Sequence, residues 1–487
     1  MIPVPERIDI SPTDSFVVTA RTTVFIDSNA TAQVEAIGDY AANVIASGFG
    51  ATAQRRGPGP VPDGNIVLAL DRSRANLGAE GYELVATKAG VRIVAAEPAG
   101  LFYGVQTMRQ LLPPAVESPA AMNRRLAMPD VRVRDAPRFE WRGLMLDVVR
   151  HFLPASDVKR FIDLMALYKL NRLHLHLSDD QGWRIEIKSW PKLTTVGGPM
   201  AIGGARGGFY TQEQYADIVA YAKSRYVTVV PEIELPGHIT AALVAYPDLR
   251  CDRVTPEPFL RLGGPPNSLC VTRDSVYTFV RDVVGEIVNI APTPYFHIGG
   301  DEVLRMPKGQ YDSFIQRAER IVNELGSRTI AWGEAATVNV PSRMIVQSWT
   351  KDSSDLHAAR GGKVILSPGT RLYLDQKYDS STVLGHTWAG SVDLEKAYSW
   401  DPGAFLPGVG ADAILGVEAT VFAETLVSRY DYEYMVFPRV IAAAELGWSQ
   451  PNRLGWAGFR VRLAAHGARL AALGVNFARA PGVSWTW

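Results

Sequence analysis

The sequence has little cysteine, no excess of charge of one sign and no long hydrophobic run. Its 487 residues include 50 Lys and Arg against 50 Asp and Glu, so the formal net charge is +0. Nucleic acids and anionic membrane surfaces attract basic proteins, and neither is therefore expected as a partner. No segment approaches the roughly 20 apolar residues of a transmembrane helix. A chain with 47% hydrophobic residues and ordinary charge instead indicates a globular protein with a sizeable core.

Cysteine is limited to Cys251 and Cys270, which flank a stretch rich in glycine and proline. Two free thiols would suit an intracellular enzyme. A disulfide would close the stretch into a loop, contribute about 3 kcal/mol to stability and indicate export. The N-terminal residues lack the charged and then apolar pattern of a signal peptide, so either the protein stays in the cell or a leader is absent from this sequence. Both localisations stay open at this point.

Residues 1–137 predict a separate α+β domain that ends in a linker. TTVFID and NIVLAL are typical of short strands, and YELVATKAGVRIVAAE alternates in the manner of a β-hairpin. TAQVEAIGDYAANVIA and AGLFYGVQTMRQLL carry apolar residues at helical spacing. The stretch from Pro113 to Pro137 is rich in proline and poor in apolar residues, and it predicts the linker.

Residues 138–487 predict a (β/α)8 TIM barrel. Nearly continuous apolar runs alternate with amphipathic helical stretches, which is the pattern of parallel strands buried on both faces. The eight runs are FEWRGLMLDVV, NRLHLHLS, YVTVVPEIEL, PYFHIGG, RTIAWGE, MIVQSW, KVILSPG and ILGVEATVF. The alternative, a doubly wound open sheet, is disfavoured because no glycine-rich phosphate-binding turn follows the first run.

Polar and aromatic residues collect where these runs end. Barrel enzymes place their catalytic groups at the C-terminal ends of the strands, so this position marks the candidate active site. In chain order the run ends supply Arg150, His151, Asp179, Asp180, Trp183, Glu234, His238, Asp301, Glu302, Trp332, Glu334, Trp349, Tyr373, Asp375, Phe422 and Glu424.

Three chemistries could use such a rim. His174 and His176 form an H-x-H pair that could begin the metal site of a hydrolase. The fifth and sixth runs add no histidine and supply Trp332 and Trp349 instead, so two packed barrel histidines are the preferred interpretation. Tryptophans beside Arg, Asp and Glu suit a sugar, whose ring has apolar faces and a fringe of hydroxyls, and favour a glycoside hydrolase. A glycan-binding protein without turnover would present the same surface.

The adjacent acids Asp301 and Glu302 in FHIGGDEV favour hydrolysis over binding alone. A glycosidase needs a carboxyl group that is still protonated near neutral pH. A neighbouring carboxylate and burial against tryptophan both raise a carboxyl pKa, so we expect a raised pKa for Glu302. An ordinary helix start is the alternative for such a pair, and it is disfavoured because two glycines and a buried strand precede the acids.

Six motifs give the chain a resemblance to a known family. They are, in chain order, GLFYGVQTMRQLL, RHF, SDDQGW, PEIELPGH, HIGGDE and YLDQKY. Together they resemble the β-N-acetylhexosaminidases of glycoside hydrolase family 20 over nearly the whole chain. The resemblance implies a retaining, exo-acting enzyme that removes terminal β-linked GlcNAc or GalNAc from small glycans. In this family the substrate's own acetamide oxygen attacks the anomeric carbon and forms an oxazolinium ion.

The resemblance also implies roles for individual residues. Glu302 would be the general acid and then the base, Asp301 would hold the acetamide N–H, and Tyr373 would donate to the acetamide oxygen. The further expected contacts are walls from Trp332, Trp349 and Phe422, a leaving-group border from Trp388, hydroxyl contacts from Arg150, Asp375 and Glu424, and a network of Asp179 and His238 that orients Glu302. No metal and no organic cofactor is expected.

Two positions depart from the family's pattern, which leaves rate and the preference between GlcNAc and GalNAc open. Phe422 stands where tryptophan is common, and Glu234 where aspartate is more usual. Secreted members can carry a paired loop near the third strand, which implies a bond between Cys251 and Cys270 and an exported protein, with a cytoplasmic one as the alternative. A silent glycan-binding relative and, after it, a metal-dependent barrel hydrolase are the alternative functions. The oligomeric state is not indicated.

Overall fold

The structure, a computed structural model, describes residues 1–27, 30–46, 53–55, 61–118, 125–303 and 305–486. Within these residues no helix combines the length and the apolar character needed to cross a membrane.

A seven-stranded sheet forms the N-terminal part of the chain. Its strands are β1 (Arg7–Val18), β2 (Val24–Ile26), β3 (Ala53–Arg55), β4 (Asn65–Leu70), β5 (Tyr82–Thr87), β6 (Gly90–Ala95) and β7 (Leu126–Asp135), in the order β1-β7-β5-β6-β4-β2-β3. The helices α1 (Ala32–Ile45) and α2 (Pro98–Leu111) contact each other and the sheet. The predicted hairpin is confirmed, because β5 and β6 pair antiparallel from Tyr82 with Ala95 to Thr87 with Gly90.

The linker predicted from Pro113 to Pro137 is wrong over most of its described length. Leu126–Asp135 is the strand β7, which lies between β1 and β5 inside the sheet. Residues 119–124 of the predicted linker lie outside the described residues. Pro129 pairs with Ser15 beside a register irregularity in β1, where a residue without an N–H interrupts the ladder least.

A closed barrel of eight parallel strands follows, as predicted. The barrel strands are β8 (Trp141–Asp147), β9 (Arg172–His176), β12 (Thr228–Glu232), β13 (Tyr295–His297), β14 (Arg328–Trp332), β15 (Ile345–Ser348), β16 (Lys363–Leu366) and β17 (Ile414–Val421), with a short hairpin of β10 (Ser178–Asp179) and β11 (Gly182–Trp183) after β9. Each barrel strand lies within one of the eight predicted runs. Pairing of β17 with β8 closes the barrel.

Helices surround the barrel. They are α3 (Ala155–Leu167), α4 (Lys192–Gly197), α5 (Gln212–Ser224), α6 (Thr240–Ala245), α7 (Asp274–Ile290), α8 (Lys308–Glu324), α9 (Ser354–Ala359), α10 (Gly369–Leu372), α11 (Leu394–Tyr398), α12 (Arg429–Val436), α13 (Arg439–Trp448) and α14 (Trp456–Ala472). α5 begins with the capping box of Thr211 and Gln214 that the sequence predicts. α12 and α13 are separated at Pro438, which lacks the N–H that a continuous helix needs.

The barrel interior is layered beneath its C-terminal rim. Six side chains, those of Trp141, Val230, Ile330, Ile345, Ile365 and Leu415, form an apolar cluster inside it. A second, polar set contains His174, Glu232, His297 and Glu418, all of them buried. These two sets fill the barrel, so a ligand can enter only where the strands end.

Asp135 connects the N-terminal sheet to the barrel. Its carboxylate accepts hydrogen bonds from Lys169 Nζ at 2.8 Å, Tyr82 OH at 2.7 Å and Trp448 Nε1 at 2.9 Å. All four side chains are buried, so loss of one charged partner would leave an uncompensated charge and cost about 3–5 kcal/mol. The domain boundary after residue 137 stays a prediction.

Candidate active site

A cavity of about 460 Å³ opens at the C-terminal ends of the barrel strands. Every side chain that the sequence assigns to catalysis or substrate binding lines it. These are Arg150, Asp179, His238, Asp301, Glu302, Trp332, Trp349, Tyr373, Asp375, Trp388, Phe422 and Glu424. The structure thus brings together residues that are up to 274 positions apart between Arg150 and Glu424. Their individual roles stay predictions.

Four other rim residues, His151, Asp180, Trp183 and Glu334, lie outside this lining. His151 uses Nδ1 to contact the carbonyl oxygen of Ala423 at 2.7 Å, and Trp183 donates from Nε1 to the carbonyl oxygen of Ile185 at 2.7 Å. Both side chains are buried, so they support the backbone of the rim and do not face the cavity.

The glycines of HIGGDE shape the backbone that carries the acid pair. Gly299 has a φ of 67° and Gly300 a φ of 97°, values that side chains rarely adopt. A Cβ on Gly299 would lie 1.9 Å from Glu234 Oε2, so this glycine also gives the Glu234 carboxyl its space. Glu302 itself has a φ of 53°, and this turn directs the two adjacent acids differently.

Glu234 is a buried carboxyl group and Asp301 a partly buried one, and both line the cavity. Burial raises the pKa of Glu234 well above its usual range, and the negative charge of Asp301 adds to the effect. Burial also raises the pKa of Asp301, less strongly. Glu234 Oε2 and Asp301 Oδ1 accept no N–H from any residue that the structure describes, and a hydrogen bond with Glu234 opposes the rise in the pKa of Asp301. The larger rise favours the proton on Glu234, which would then donate to Asp301.

Glu302 is the exposed member of the acid pair, and the predicted rise in its pKa is wrong. Its side chain is 54% exposed, and its Oε2 lies 3.6 Å from Nε2 of His238. The N–H directed at it from His238 and the positive charge of that ring lower the pKa of Glu302, outweighing the effect of partial burial. The prediction failed because it placed Glu302 against tryptophans, whereas in this structure it faces a cation and solvent.

His238 joins Glu302 to two buried aspartates. Its Nδ1 lies 3.2 Å from Asp180 Oδ2 and 3.4 Å from Asp179 Oδ1. Burial lowers the pKa of His238, but the negative charge of Asp179 and the hydrogen bonds of both aspartates raise it well above its usual value. The imidazole is therefore protonated at neutral pH. This geometry is consistent with the predicted network that orients Glu302.

The segment between the cysteines forms one wall of the cavity. Cys251 and Cys270 form a disulfide. Within the loop, Leu262 and Gly263 line the cavity, and Gln181 Nε2 donates to the carbonyl oxygen of Gly263 at 3.3 Å. The disulfide thus constrains a loop that contributes directly to the site.

Aromatic rings form the opposite wall. The rings of Trp349 and Tyr373 are stacked with centroids 6.0 Å apart, and Trp388 meets Tyr373 edge-on at 5.2 Å. The Phe422 ring lies 5.7 Å from that of Tyr373. Trp332 is fixed by a hydrogen bond of 2.9 Å from its Nε1 to Glu232 Oε1. Such a set presents apolar faces to a ring of the size of a sugar.

Charged groups occupy the end of the cavity near β8 and β17. Arg150 lies 2.7 Å from Asp179 Oδ2 and 3.3 Å from Asp147 Oδ2. Burial and the negative charge of Glu424 raise the pKa of Asp375 to about 7. At this end the sequence missed His386, whose Nε2 lies 3.4 Å from Glu424 Oε2.

Two further residues make contacts in or beside the cavity that the sequence did not predict. His176 lines the cavity and contacts Asp179 Oδ2 at 2.8 Å and Glu232 Oε2 at 2.5 Å. Glu334 accepts a hydrogen bond from Trp349 Nε1 at 3.2 Å, and burial raises its pKa to about 7. Glu334 was visible as a rim acid, whereas nothing in H-x-H distinguishes the histidine that faces the site.

Two of the three barrel histidines, His174 and His176, are unsuited to a metal ion because neighbouring carboxylates favour their protonated forms, whereas burial lowers the pKa of the third, His297. His174, Glu232 and His297 lie close enough to share an ion, as do His176, Glu232 and Glu234. Burial works against protonation, but Glu232 and neighbouring acids raise the pKa of His174 to about 9 and that of His176 to about 10. A protonated imidazole cannot be a ligand, and both rings already bind carboxylates. The packed-histidine interpretation is therefore supported.

The chain matches two family models in succession. Residues 1–136 match glycosyl hydrolase family 20, domain 2, and residues 139–451 match glycosyl hydrolase family 20, catalytic domain. A β-N-acetylhexosaminidase from Cellulomonas fimi is 36% identical over 100% of this chain and 97% of its own length.

Solved structures agree with this match. The family 20 β-N-acetylhexosaminidase from Streptomyces coelicolor superposes with a TM-score of 0.94 at 40% identity, over 100% of this chain and 98% of its own. A mutant β-hexosaminidase from Streptomyces plicatus, solved with the product GlcNAc, gives a TM-score of 0.95 at 43% identity, over 100% and 97%.

Proposed function

Because the chain belongs to glycosyl hydrolase family 20 and is a glycoside hydrolase of the β-hexosaminidase class, we propose that it is a retaining exo-β-N-acetylhexosaminidase. Its substrates would be small glycans that end in β-linked GlcNAc or GalNAc. A family match over residues 139–451 and a GlcNAc complex of the Streptomyces plicatus relative support this substrate class. Chitin oligosaccharides are the favoured source, because N,N'-diacetylchitobiase from Vibrio harveyi is 28% identical over 82% of the chain.

The strongest support for the mechanism is the contrast between Asp301 and Glu302. Asp301 is a partly buried acid whose Oδ1 accepts no N–H from the described residues, and Glu302 is half-exposed at the cavity wall. A buried acceptor suits an amide N–H, and an exposed acid suits a leaving oxygen. The substrate's acetamide would therefore lie against Asp301 and Tyr373, between Trp332 and Trp349, with its oxygen aimed at the anomeric carbon.

Attack by the acetamide oxygen would form a bond to the anomeric carbon, which closes the ring of an oxazolinium ion, and would break the glycosidic bond. Because nucleophile and electrophile belong to one bound molecule, their effective concentration is high. Asp301 would accept the N–H and stabilise the positive charge that develops on the amide nitrogen. Tyr373 would donate to the acetamide oxygen and hold it in line. Water would then open the ion and restore the β configuration.

Glu302 would supply the proton that the leaving oxygen takes. In the free protein His238 lowers the pKa of Glu302. A bound sugar would cover the exposed half of this carboxyl and exclude water, and desolvation raises a carboxyl pKa. Substrate binding would thus turn Glu302 into an acid, and after leaving-group departure the resulting carboxylate would deprotonate the attacking water.

A second cavity, of about 240 Å³, suits the leaving group. Gly237, Asn267, Ser268 and Arg305 line it, and it shares His238 and Glu302 with the main cavity. The glycosidic oxygen would lie between the two cavities, within reach of Glu302. The charged end of the main cavity would hold the terminal sugar, which explains exo action.

We also propose export, because disulfides persist in oxidising compartments. The bond between Cys251 and Cys270 is the supporting observation. Fractionation of the native host should find the activity outside the cytoplasm, and activity confined to the cytoplasm would contradict the proposal.

A chromogenic β-GlcNAc glycoside tests the activity, and a series of fluorinated acetamides tests the mechanism. Each added fluorine withdraws electrons from the acetamide oxygen, so kcat/KM should fall steeply along the mono-, di- and trifluoroacetyl series. A flat series would indicate a nucleophile supplied by the protein. Binding of GlcNAc without any turnover would instead favour the glycan-binding alternative.

A further inference from the structure

His386 lies in the main cavity although no motif pointed to it. The side chain is 23% exposed and lines the same cavity as Asp375 and Glu424. It lies at the charged end of the cavity beside Glu424, where the hydroxyls of a terminal sugar would lie.

The backbone fixes the position of His386. Its N–H donates to the carbonyl oxygen of Asp375 at 2.8 Å, and its own carbonyl oxygen accepts from Lys377 N at 2.8 Å. The preceding Gly385 has a φ of 89°, and a Cβ there would lie 2.3 Å from the Asp375 carbonyl oxygen. Gly385 N also donates to Thr425 Oγ1 at 2.8 Å. A short ladder thus ties the histidine to the segment that carries Asp375.

The polar atoms around this ring are not satisfied by the protein. His386 Nε2 approaches Glu424 Oε2 at 3.4 Å without the alignment of a hydrogen bond. Neither of these atoms, nor Asp375 Oδ1, has a hydrogen-bond partner among the described residues, although all three are buried. Buried polar groups without partners are costly, and a ligand that pairs them recovers that cost.

The charges at this end are balanced around the imidazole. Glu424 and Asp375 face His386 as acids, and Arg150 faces it as a cation. The adjacent Glu424 carboxylate raises the pKa of His386, while burial opposes the rise. A protonated imidazole offers two N–H donors and no acceptor. The Nε2 of His386 is therefore a donor that lies beside the carboxyl groups of Glu424 and Asp375.

We propose that His386 is a specificity-determining residue that donates a hydrogen bond from Nε2 to the 4- or 6-hydroxyl of the terminal sugar. The inference rests on the proposed function for the identity of that sugar. The same hydroxyl would donate its proton to Glu424 or Asp375. Recognition by a donor and an acceptor together makes a site intolerant of a sugar that lacks the hydroxyl, because both protein groups then stay unpaired.

Binding of free GlcNAc and of its 4-deoxy and 6-deoxy forms, measured by calorimetry, tests the proposal without requiring turnover. His386→Phe keeps a ring and removes the donor, whereas His386→Gln keeps a donor and removes the titration. In the wild type we expect one of the deoxy sugars to bind about 10- to 100-fold more weakly than GlcNAc. His386→Phe should weaken the binding of GlcNAc by a similar factor and reduce the difference in affinity between GlcNAc and that deoxy sugar. His386→Gln should restore most of the GlcNAc affinity and most of that difference.

A wild-type penalty that stays unchanged in His386→Phe for both deoxy sugars would overturn the proposal. Val383→Ala is the matched control, because Val383 lies in the same segment, is 89% exposed and should leave every affinity unchanged. If His386→Phe fails to fold, His386→Leu gives the same comparison. Selective GlcNAc binding without hydrolysis would contradict the proposed function and leave the His386 result valid, whereas absence of GlcNAc binding would overturn both.

Discussion

Replacement of Glu302 by glutamine removes an ionisable proton with almost no change in shape. The side chain is 54% exposed, so the effect on the free energy of unfolding should stay within about 0.5 kcal/mol. The left-handed φ of 53° is equally open to either residue. Any large loss of activity in Glu302→Gln must therefore come from the chemistry and not from the fold.

The size of the loss should depend on the leaving group. General acid catalysis contributes about 10²- to 10⁴-fold, and we expect kcat/KM for a methyl glycoside or a chitin disaccharide to fall by this factor. A dinitrophenyl leaving group departs without a proton, so its kcat/KM should fall by less than about 10-fold. The slope of log kcat/KM against leaving-group pKa should become steeper in the variant.

Steady-state kinetics with a series of aryl and alkyl GlcNAc glycosides measures this slope. Asp301→Asn is the matched control, because it should slow the first step for every leaving group by a similar factor and leave the slope unchanged. Equal losses of kcat/KM for all leaving groups in Glu302→Gln, which would leave the slope unchanged, would refute the assignment of Glu302 as the acid.

Three further changes test the surroundings of the acids. Gly299→Ala should lower the free energy of unfolding, measured in urea, by more than about 2 kcal/mol, because Gly299 has a φ of 67° and a Cβ would lie 1.9 Å from Glu234 Oε2. Gly309 has open space around it, so Gly309→Ala is the control and should have no such effect. Equal losses in the two variants would contradict this account. Glu234→Gln should flatten the loss of stability as the pH rises from about 4.5 through the raised pKa, because only the protonated carboxyl is stabilised by the fold; the same slope in both proteins would exclude the assignment. Serine at both Cys251 and Cys270 should cost up to about 3 kcal/mol and raise KM by loosening the wall, whereas unchanged melting and KM would show that the disulfide is dispensable.

The barrel could be predicted because its strands carry a strong local signal. β16, with the sequence KVIL, is a short run that is buried after its first residue, and each strand of a closed parallel barrel must be buried on both faces. The family resemblance added the order of the site residues. Local pattern and global fold agree here, which is why all eight runs were found.

The N-terminal sheet was less predictable because two of its strands carry mixed signals. β7 contains Pro129 and several charged residues, which are typical of a linker. β1 contains polar residues and a register irregularity between Ser11 and Ser15, so its alternation is interrupted. β1 pairs with β7, and β7 pairs also with β5, so the place of both strands in the sheet depends on long-range contacts that neither segment shows alone.

The active site could also be predicted only in part, because some of its features depend on long-range contacts. The position of His386 depends on a backbone ladder to Asp375 and on the freedom of Gly385, neither of which has a recognisable spacing. The resemblance placed His238 near Glu302, but the lowered pKa of Glu302 depends on the charge that Asp179 and Asp180 favour on that imidazole, which only the structure shows. Residue types were thus predictable, whereas orientations required the structure.

The most direct measurement is a crystal structure with a thiazoline that mimics the cyclised acetamide. The proposed mechanism predicts that the Asp301 carboxylate accepts from the ring nitrogen in its protonated, thiazolinium form, that the Tyr373 hydroxyl contacts the sulfur, and that Trp332 and Trp349 enclose the ring. A complex in which the thiazoline points to solvent, with Asp301 and Tyr373 beyond hydrogen-bond distance, would contradict attack by the substrate's own amide.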